Sequence, residues 1–155
     1  MHIVLVEPEI PPNTGNVARL CAATGTHLHL IEPLGFQLED KHLKRAGMDY
    51  WKHVTWSKWP HWSAFLEQKT SQSNLWFVES DGPKSYVEVD FGPNDYLVFG
   101  RETAGLPAEL VQQHRDHWLR IPMMNKEARS LNLSNSVALV LYEALRQQGF
   151  PGELL

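Results

Sequence analysis

The chain has 155 residues, 43% hydrophobic and 21% charged, a composition that suits one globular domain with a sizeable core. No apolar run approaches the about 20 residues that cross a bilayer, and Met1-His2-Ile3-Val4-Leu5-Val6 enters a strand pattern without the charged start of a signal peptide, so a cytoplasmic location is expected. A single cysteine, Cys21, excludes an internal disulfide and a zinc cluster of several thiolates, and the net charge of −4 argues against attraction of nucleic acid to the whole surface.

Residues 2–7 read as a buried strand, Pro8 to Gly15 as a rigid loop, and the stretch to about Thr24 as a helix with Val17, Leu20, Cys21 and Thr24 on one face. Gly25 ends that helix. Residues 27–32 read as a second strand, which completes a βαβ unit with a parallel pair. Asp40 would cap a short basic helix to Ala46, stopped by Gly47. Residues 60–69 look helical, while Leu75–Glu79, Tyr96–Phe99 and Trp118–Ile121 look like strands. A last helix from about Asn132 to Gln148 carries Leu133, Val137, Val140, Leu141, Ala144 and Leu145 at helical spacing. Alternating elements without a repeat or linker predict one α/β domain over residues 1–155, with a parallel sheet between helices.

Three polar loops stand out. Pro11-Pro12-Asn13-Thr14-Gly15-Asn16-Val17-Ala18-Arg19 follows the first strand, and an Arg at that point could meet a phosphate or a developing oxyanion; a helix cap with a surface Arg is the plain alternative. Phe99-Gly100-Arg101-Glu102-Thr103-Ala104-Gly105-Leu106-Pro107 follows another strand, where α/β proteins bind ligands, though it is neither a phosphate-binding P-loop nor GxGxxG and could be a simple turn. Ile121-Pro122-Met123 leads to residues 130–136, which hold three serines and two asparagines, more polar groups than one helix cap requires.

Charge is unevenly spread. Residues 41–58 hold Lys41, Lys44, Arg45, Lys52 and Lys58 against Asp49 alone, whereas residues 79–116 hold eight acids against Lys84, Arg101 and Arg115. One basic face on an acidic protein is therefore expected. Trp51, Trp56, Trp59 and Trp62, interleaved with Lys52, His53, Lys58 and His61, suit either base stacking or packing. His27 and His29 share a strand face, and His114 and His117 lie a helical turn apart, but no HExxH or Cys/His set supports a metal, and no GxSxG supports a serine hydrolase.

Taken together, the three loops resemble the motifs of the SPOUT-class RNA 2′-O-ribose methyltransferases. The first matches Asn13 through Arg19, the second Gly100 through Leu106, and the third Ile121-Pro122-Met123 with Ser130-Leu131-Asn132-Leu133-Ser134-Asn135. Residues 7–16, Arg19-Leu20-Cys21-Ala22, Ile31-Glu32-Pro33-Leu34-Gly35-Phe36 and Lys44-Arg45-Ala46-Gly47-Met48-Asp49-Tyr50 resemble the small tRNA (cytidine/uridine-34) 2′-O-methyltransferases within that class. The likeness runs from residue 3 to Gly152, although the Trp-rich stretch and the lack of a basic tail depart from it.

This resemblance implies a C-terminal trefoil knot, a homodimer and bound S-adenosylmethionine. It places Val78, Gly100, Ile121, Ser130 and Leu131 around the cofactor and has Glu102 and Asn132 brace the pocket or orient the substrate. Arg19 is its candidate for the proton step, Asn13 could orient Arg19, and Ser130 and Asn132 could hold the ribose. Lys41, Lys44 and Arg45 are the expected contacts to tRNA phosphates. A competing expectation is a non-catalytic RNA-binding module with the same fold; intact Arg19, Glu102, Ser130 and Asn132 speak against it.

Overall fold

Apolar runs without polar alternation make strands that are covered on both faces. In the computed structural model, which describes residues 1–39, 41, 45 and 48–154, such runs form the centre of the sheet. The elements are β1 (His2–Val6), α1 (Pro11–Thr24), β2 (His27–Ile31), β3 (Trp56–Trp59), α2 (Trp62–Gln68), β4 (Leu75–Val78), β5 (Lys84–Ser85), β6 (Tyr96–Phe99), α3 (Ala108–Gln112), β7 (Trp118–Arg120) and α4 (Leu133–Gln147). The seven strands are ordered β3-β2-β1-β6-β4-β7-β5, and all neighbouring pairs are parallel.

Successive side chains of a strand point to opposite faces, which divides the core in two. Ile3, Leu5, Leu28, Leu30, Leu97 and Phe99 pack under α1 and α4, against Val17, Cys21, Val137, Val140 and Leu141. Val4, Val6, Ile31, Phe77 and Val98 pack on the other face against Phe65 of α2 and Val111 of α3. Burial raises the Cys21 thiol to about 12, so it is an inert core group. No helix among the described residues is long and apolar enough to cross a membrane.

Several elements depart from expectation. The loop expected from Pro8 to Gly15 stops at Ile10, and α1 starts with Pro11 and Pro12. Prolines suit the first helical turn, where an N–H has no intrahelical acceptor. The Ile10 carbonyl accepts from the amides of Asn13 (3.1 Å) and Thr14 (3.4 Å), so Asn13 is buried in the first turn of the helix rather than lying on the rigid loop expected there. β3 lies within the Trp-rich stretch, at the sheet edge beside β2. Trp59 and Trp62 pack on the second core and Trp51 on the first, with Trp51 edge-on to Trp56 at 4.9 Å. Packing therefore absorbs most of these rings. The two-residue β5 and the five-residue α3 had no counterpart in the sequence reading because they are too short to show a period. Of the helix expected from Asp40 to Ala46 only Lys41 and Arg45 are among the described residues, and the tRNA contact expected at Lys44 lies outside them.

The histidines on the sheet form a stack. His27 and His29 rings are parallel at 4.1 Å, and His2 stacks on Tyr96 at 4.3 Å. Trp59 Nε1 donates to His29 Nδ1 at 3.1 Å, so the His29 proton sits on Nε2 and is given to His2 Nδ1 at 3.1 Å. His114 and His117 do not converge on a common point: one stacks on Phe77, the other on Trp76 with Nδ1 3.1 Å from the Leu75 carbonyl.

Burial, reinforced by neighbouring positive charge, lowers His2 to about 4 and His29 to about 3. Both must stay neutral in the fold, whereas an unfolded chain takes up protons near pH 6.5. Stability is thus fully present above about pH 6.5 and falls as the pH drops toward the folded values, by about 1.4 kcal/mol per pH unit for each extra proton bound on unfolding. The urea midpoint is expected to decline from pH 6.5 to 4.5, and His29→Gln, which keeps an acceptor for Trp59, should flatten that decline. An unchanged slope would show that other groups control acid stability.

Candidate active site

A pocket of about 570 Å³ opens at the carboxyl ends of β4, β6 and β7, beside the start of α4. That end of a parallel sheet is where loops leave free backbone groups for a ligand. Asn13, Val78, Gly100, Glu102, Ile121, Ser130, Leu131 and Asn132 all line the pocket. Residues from all three polar loops thus meet around one cavity, of a size suited to a small cofactor.

The walls depend on close backbone approach. A Cβ on Gly100 would overlap the Gly105 and Leu106 backbone. Gly105 has φ +67°, and Arg101 and Gly105 exchange backbone hydrogen bonds of 3.0 and 2.9 Å. Only glycine adopts that φ without strain while leaving the main chain open to a ligand.

Side chains then tie the loops together. The Glu102 carboxylate accepts from the amides of Glu9 (2.8 Å) and Ile10 (3.1 Å) and from Asn13 Nδ2 (3.3 Å). Asn13 Oδ1 accepts from Asn132 Nδ2 at 2.9 Å. Asn132 Oδ1 caps α4 by accepting from Ser134 N at 2.9 Å and Asn135 N at 3.4 Å. A reciprocal contact runs from the amide and hydroxyl of Thr103 to the Glu9 carboxylate, and these bonds hold Glu9 below the usual carboxylate range. Glu102, Asn13 and Asn132 therefore form one continuous chain of hydrogen bonds across the three loops.

Arg19 does not join this pocket. It is exposed on α1, with its guanidinium 5.1 Å from the centre of the Tyr50 ring. Six residues separate it from Asn13, which in a helix is a rise of about 9 Å and a turn of roughly 240°. The Asn13 amide is engaged with Glu102 and Asn132, and no hydrogen bond joins it to Arg19 among the described residues of one chain. Lys41 and Arg45 are exposed and likewise lie outside the pocket lining.

Two residues were missed in sequence. Glu9 belongs to the first loop but was read only as part of a subgroup match. Glu79, just past β4, lines the pocket and accepts from Leu106 N at 2.5 Å. Burial, with a smaller contribution from Asp81, raises its pKa, while the amides of Leu106 and Ser80 oppose the rise. The only sequence signal for Glu79 was an acid at the carboxyl end of a predicted parallel strand.

Known proteins resemble this chain in sequence and fold. A tRNA (cytidine(34)-2'-O)-methyltransferase from Saccharophagus degradans is 52% identical over 97% of either chain. A solved structure described as giving structural insights into the 2-OH methylation of C/U34 on tRNA superposes with a TM-score of 0.91, at 46% identity over 96% of this chain and 95% of that one. An AdoMet-bound rRNA methyltransferase from Sinorhizobium meliloti has a TM-score of 0.83 at 25% identity, covering 94% of this chain and 55% of that one. The model of the SpoU rRNA methylase family matches residues 1–142, which include all three pocket-forming loops, and the chain belongs to that family.

Proposed function

We propose that this chain is a tRNA 2′-O-methyltransferase that moves a methyl group from S-adenosylmethionine to the ribose 2′-hydroxyl of nucleotide 34, the wobble position, as cytidine or modified uridine. The observation that carries this is the union of the three loops through Glu102, Asn13 and Asn132 around one pocket. Relatives named for that reaction, matching nearly the whole chain, support the choice of substrate.

The residues present fit the cofactor. The backbone around Gly100 and Gly105 leaves a cradle that a Cβ would fill, and Val78, Ile121 and Leu131 supply apolar wall. When bound, S-adenosylmethionine supplies an electrophilic methyl on a sulfonium. The protein must align the hydroxyl and control charge as its proton leaves. Ser130, at the pocket wall, would hold the ribose by hydrogen bonds, and Asn132 would add to this through the Nδ2 proton that Asn13 does not take. Arg19 carries a guanidinium, which has five N–H donors and no acceptor, so it steadies the developing alkoxide and a neighbouring phosphate rather than acting as the base. The proton passes to a phosphate oxygen or to water.

We read the active unit as a homodimer. Arg19 lies away from its own pocket, and α4 leaves Leu139 43% and Tyr142 48% exposed. A second copy that covers this apolar face could bring its Arg19 to the first copy's pocket. We also read the whole chain as one methyltransferase domain, working in the cytoplasm with its tRNA. In it, the C-terminal segment passes through a trefoil knot, a reading supported by the likeness of the three loops to the SPOUT class.

The deciding experiment is transfer of labelled methyl to unmodified tRNA, with mapping of the modified nucleotide. Label at the 2′-oxygen of nucleotide 34 is the expected result. Binding of both ligands without transfer would favour a non-catalytic RNA-binding module. The exposed Lys41 and Arg45, with Lys44, are the proposed phosphate contacts. Charge reversal of Lys44 and Arg45 together should weaken tRNA binding about tenfold or more and reduce its salt dependence, with cofactor affinity unchanged in calorimetry. Loss of both affinities would instead report a damaged fold.

A further inference from the structure

Among the described residues lining the pocket, Glu79, Arg101, Glu102 and Arg129 carry charge. Arg101 is paired with Glu7 at 3.4 Å. Glu102 is turned toward the first loop, where three N–H groups bind its carboxylate. Arg129 lies on an exposed stretch at the rim. Glu79 differs from these: it is partly buried, its carboxylate is held by backbone amides, that of Leu106 first, and no ion pair among the described residues includes it. Its carboxylate is pressed into the Gly105 turn, where an added Cβ would stand 2.8 Å from Oε1 and 3.0 Å from Oε2. A fixed carboxylate thus stands in the wall of the cavity, with no ion pair to it among the described residues.

We infer that Glu79 makes the pocket selective for charge, favouring the sulfonium cofactor over the uncharged thioether product and so promoting product release. This rests on the methyltransferase function proposed above. In that reaction the methyl–sulfur bond breaks with its electron pair going to sulfur, the methyl–oxygen bond forms, and the hydroxyl proton leaves to phosphate or water. The pocket occupant thereby loses one positive charge while the charge of Glu79 stays. A cavity of this volume is about 10 Å across, and unit charges at that separation, with an effective dielectric of about 20, change affinity roughly tenfold.

The test is calorimetric binding of three probes to the full-length protein: S-adenosylmethionine, S-adenosylhomocysteine, and sinefungin, whose ammonium replaces the sulfonium. Glu79→Gln keeps an acceptor for the Leu106 amide but removes the charge. The preference for S-adenosylmethionine over S-adenosylhomocysteine should fall roughly tenfold, with sinefungin following the first probe and S-adenosylhomocysteine affinity holding within about twofold. Ser80→Lys, which sets a cation beside the carboxylate, should shift the preference the same way and serves if Glu79→Gln does not fold. Proportional loss for all three probes would mean that Glu79 only holds the Leu106 turn, and an unchanged preference would mean that its charge is not felt; either overturns the inference. A wild-type protein that binds none of the probes would instead overturn the methyltransferase function itself.

Discussion

Arg19→Ala is expected to reduce methyl transfer by about 10²–10³-fold while S-adenosylmethionine affinity stays within about twofold of wild type. The expectation follows from placement and role: Arg19 stands outside the pocket of its own chain, and the part proposed for it in the dimer is toward the ribose and phosphate of the tRNA rather than the cofactor. Its fixed positive charge and planar fork suit a phosphate beside a developing alkoxide, which exist together only when tRNA is bound. Arg19→Lys should recover little, because an ammonium keeps the charge but not the two-point geometry. Near-full turnover by Arg19→Lys would remove the specific guanidinium role. The same variant tests the dimer. Mixed with Asn132→Ala, itself expected to be inactive, Arg19→Ala should regain part of the activity, since a hybrid dimer has one pocket with both residues intact. Failure to complement, with hybrid formation demonstrated, would place Arg19 and Asn132 in service of the same chain.

Glu102→Ala should have the other large effect, and of a different kind. The carboxylate satisfies two backbone amides and the Asn13 side chain, and Asn13 in turn receives Asn132. Removing it leaves donors without a partner in a half-buried site, a loss of about 2 kcal/mol or more, because hydrogen bonds to charged groups contribute about 1.5–3 kcal/mol each and are not additive. The thermal midpoint should fall and cofactor affinity should drop at least tenfold, in contrast to Arg19→Ala. Glu102→Gln retains acceptor capacity and should fall between the two. A Glu102→Ala protein with unaltered cofactor affinity would show that the loops hold the pocket without this connection.

These two residues also mark the boundary between local pattern and tertiary placement. The central strands β1, β2, β4 and β6 were legible because burial on both faces demands continuous apolar runs. The last helix was legible from its stripe, and the start of α4 from Asn132, whose side chain caps it. β3 was not, because an edge strand buries only alternate residues and Trp56-Ser57-Lys58-Trp59 carries too few of them to show a period. The three polar loops, and the family they resemble, were visible as composition and spacing.

What the sequence by itself determined is therefore the inventory: an α/β chain, the start of its last helix, and which loops carry polar groups beyond structural need. Local propensity and burial pattern act over a few residues, so they are written in neighbouring letters. Only the tertiary structure decided that Glu102 meets Asn13 across 89 residues and that Asn13 meets Asn132 across 119, while Arg19, six residues from Asn13, turns away. Strand order and helix phase set those distances, and neither is encoded in the local spacing of residues.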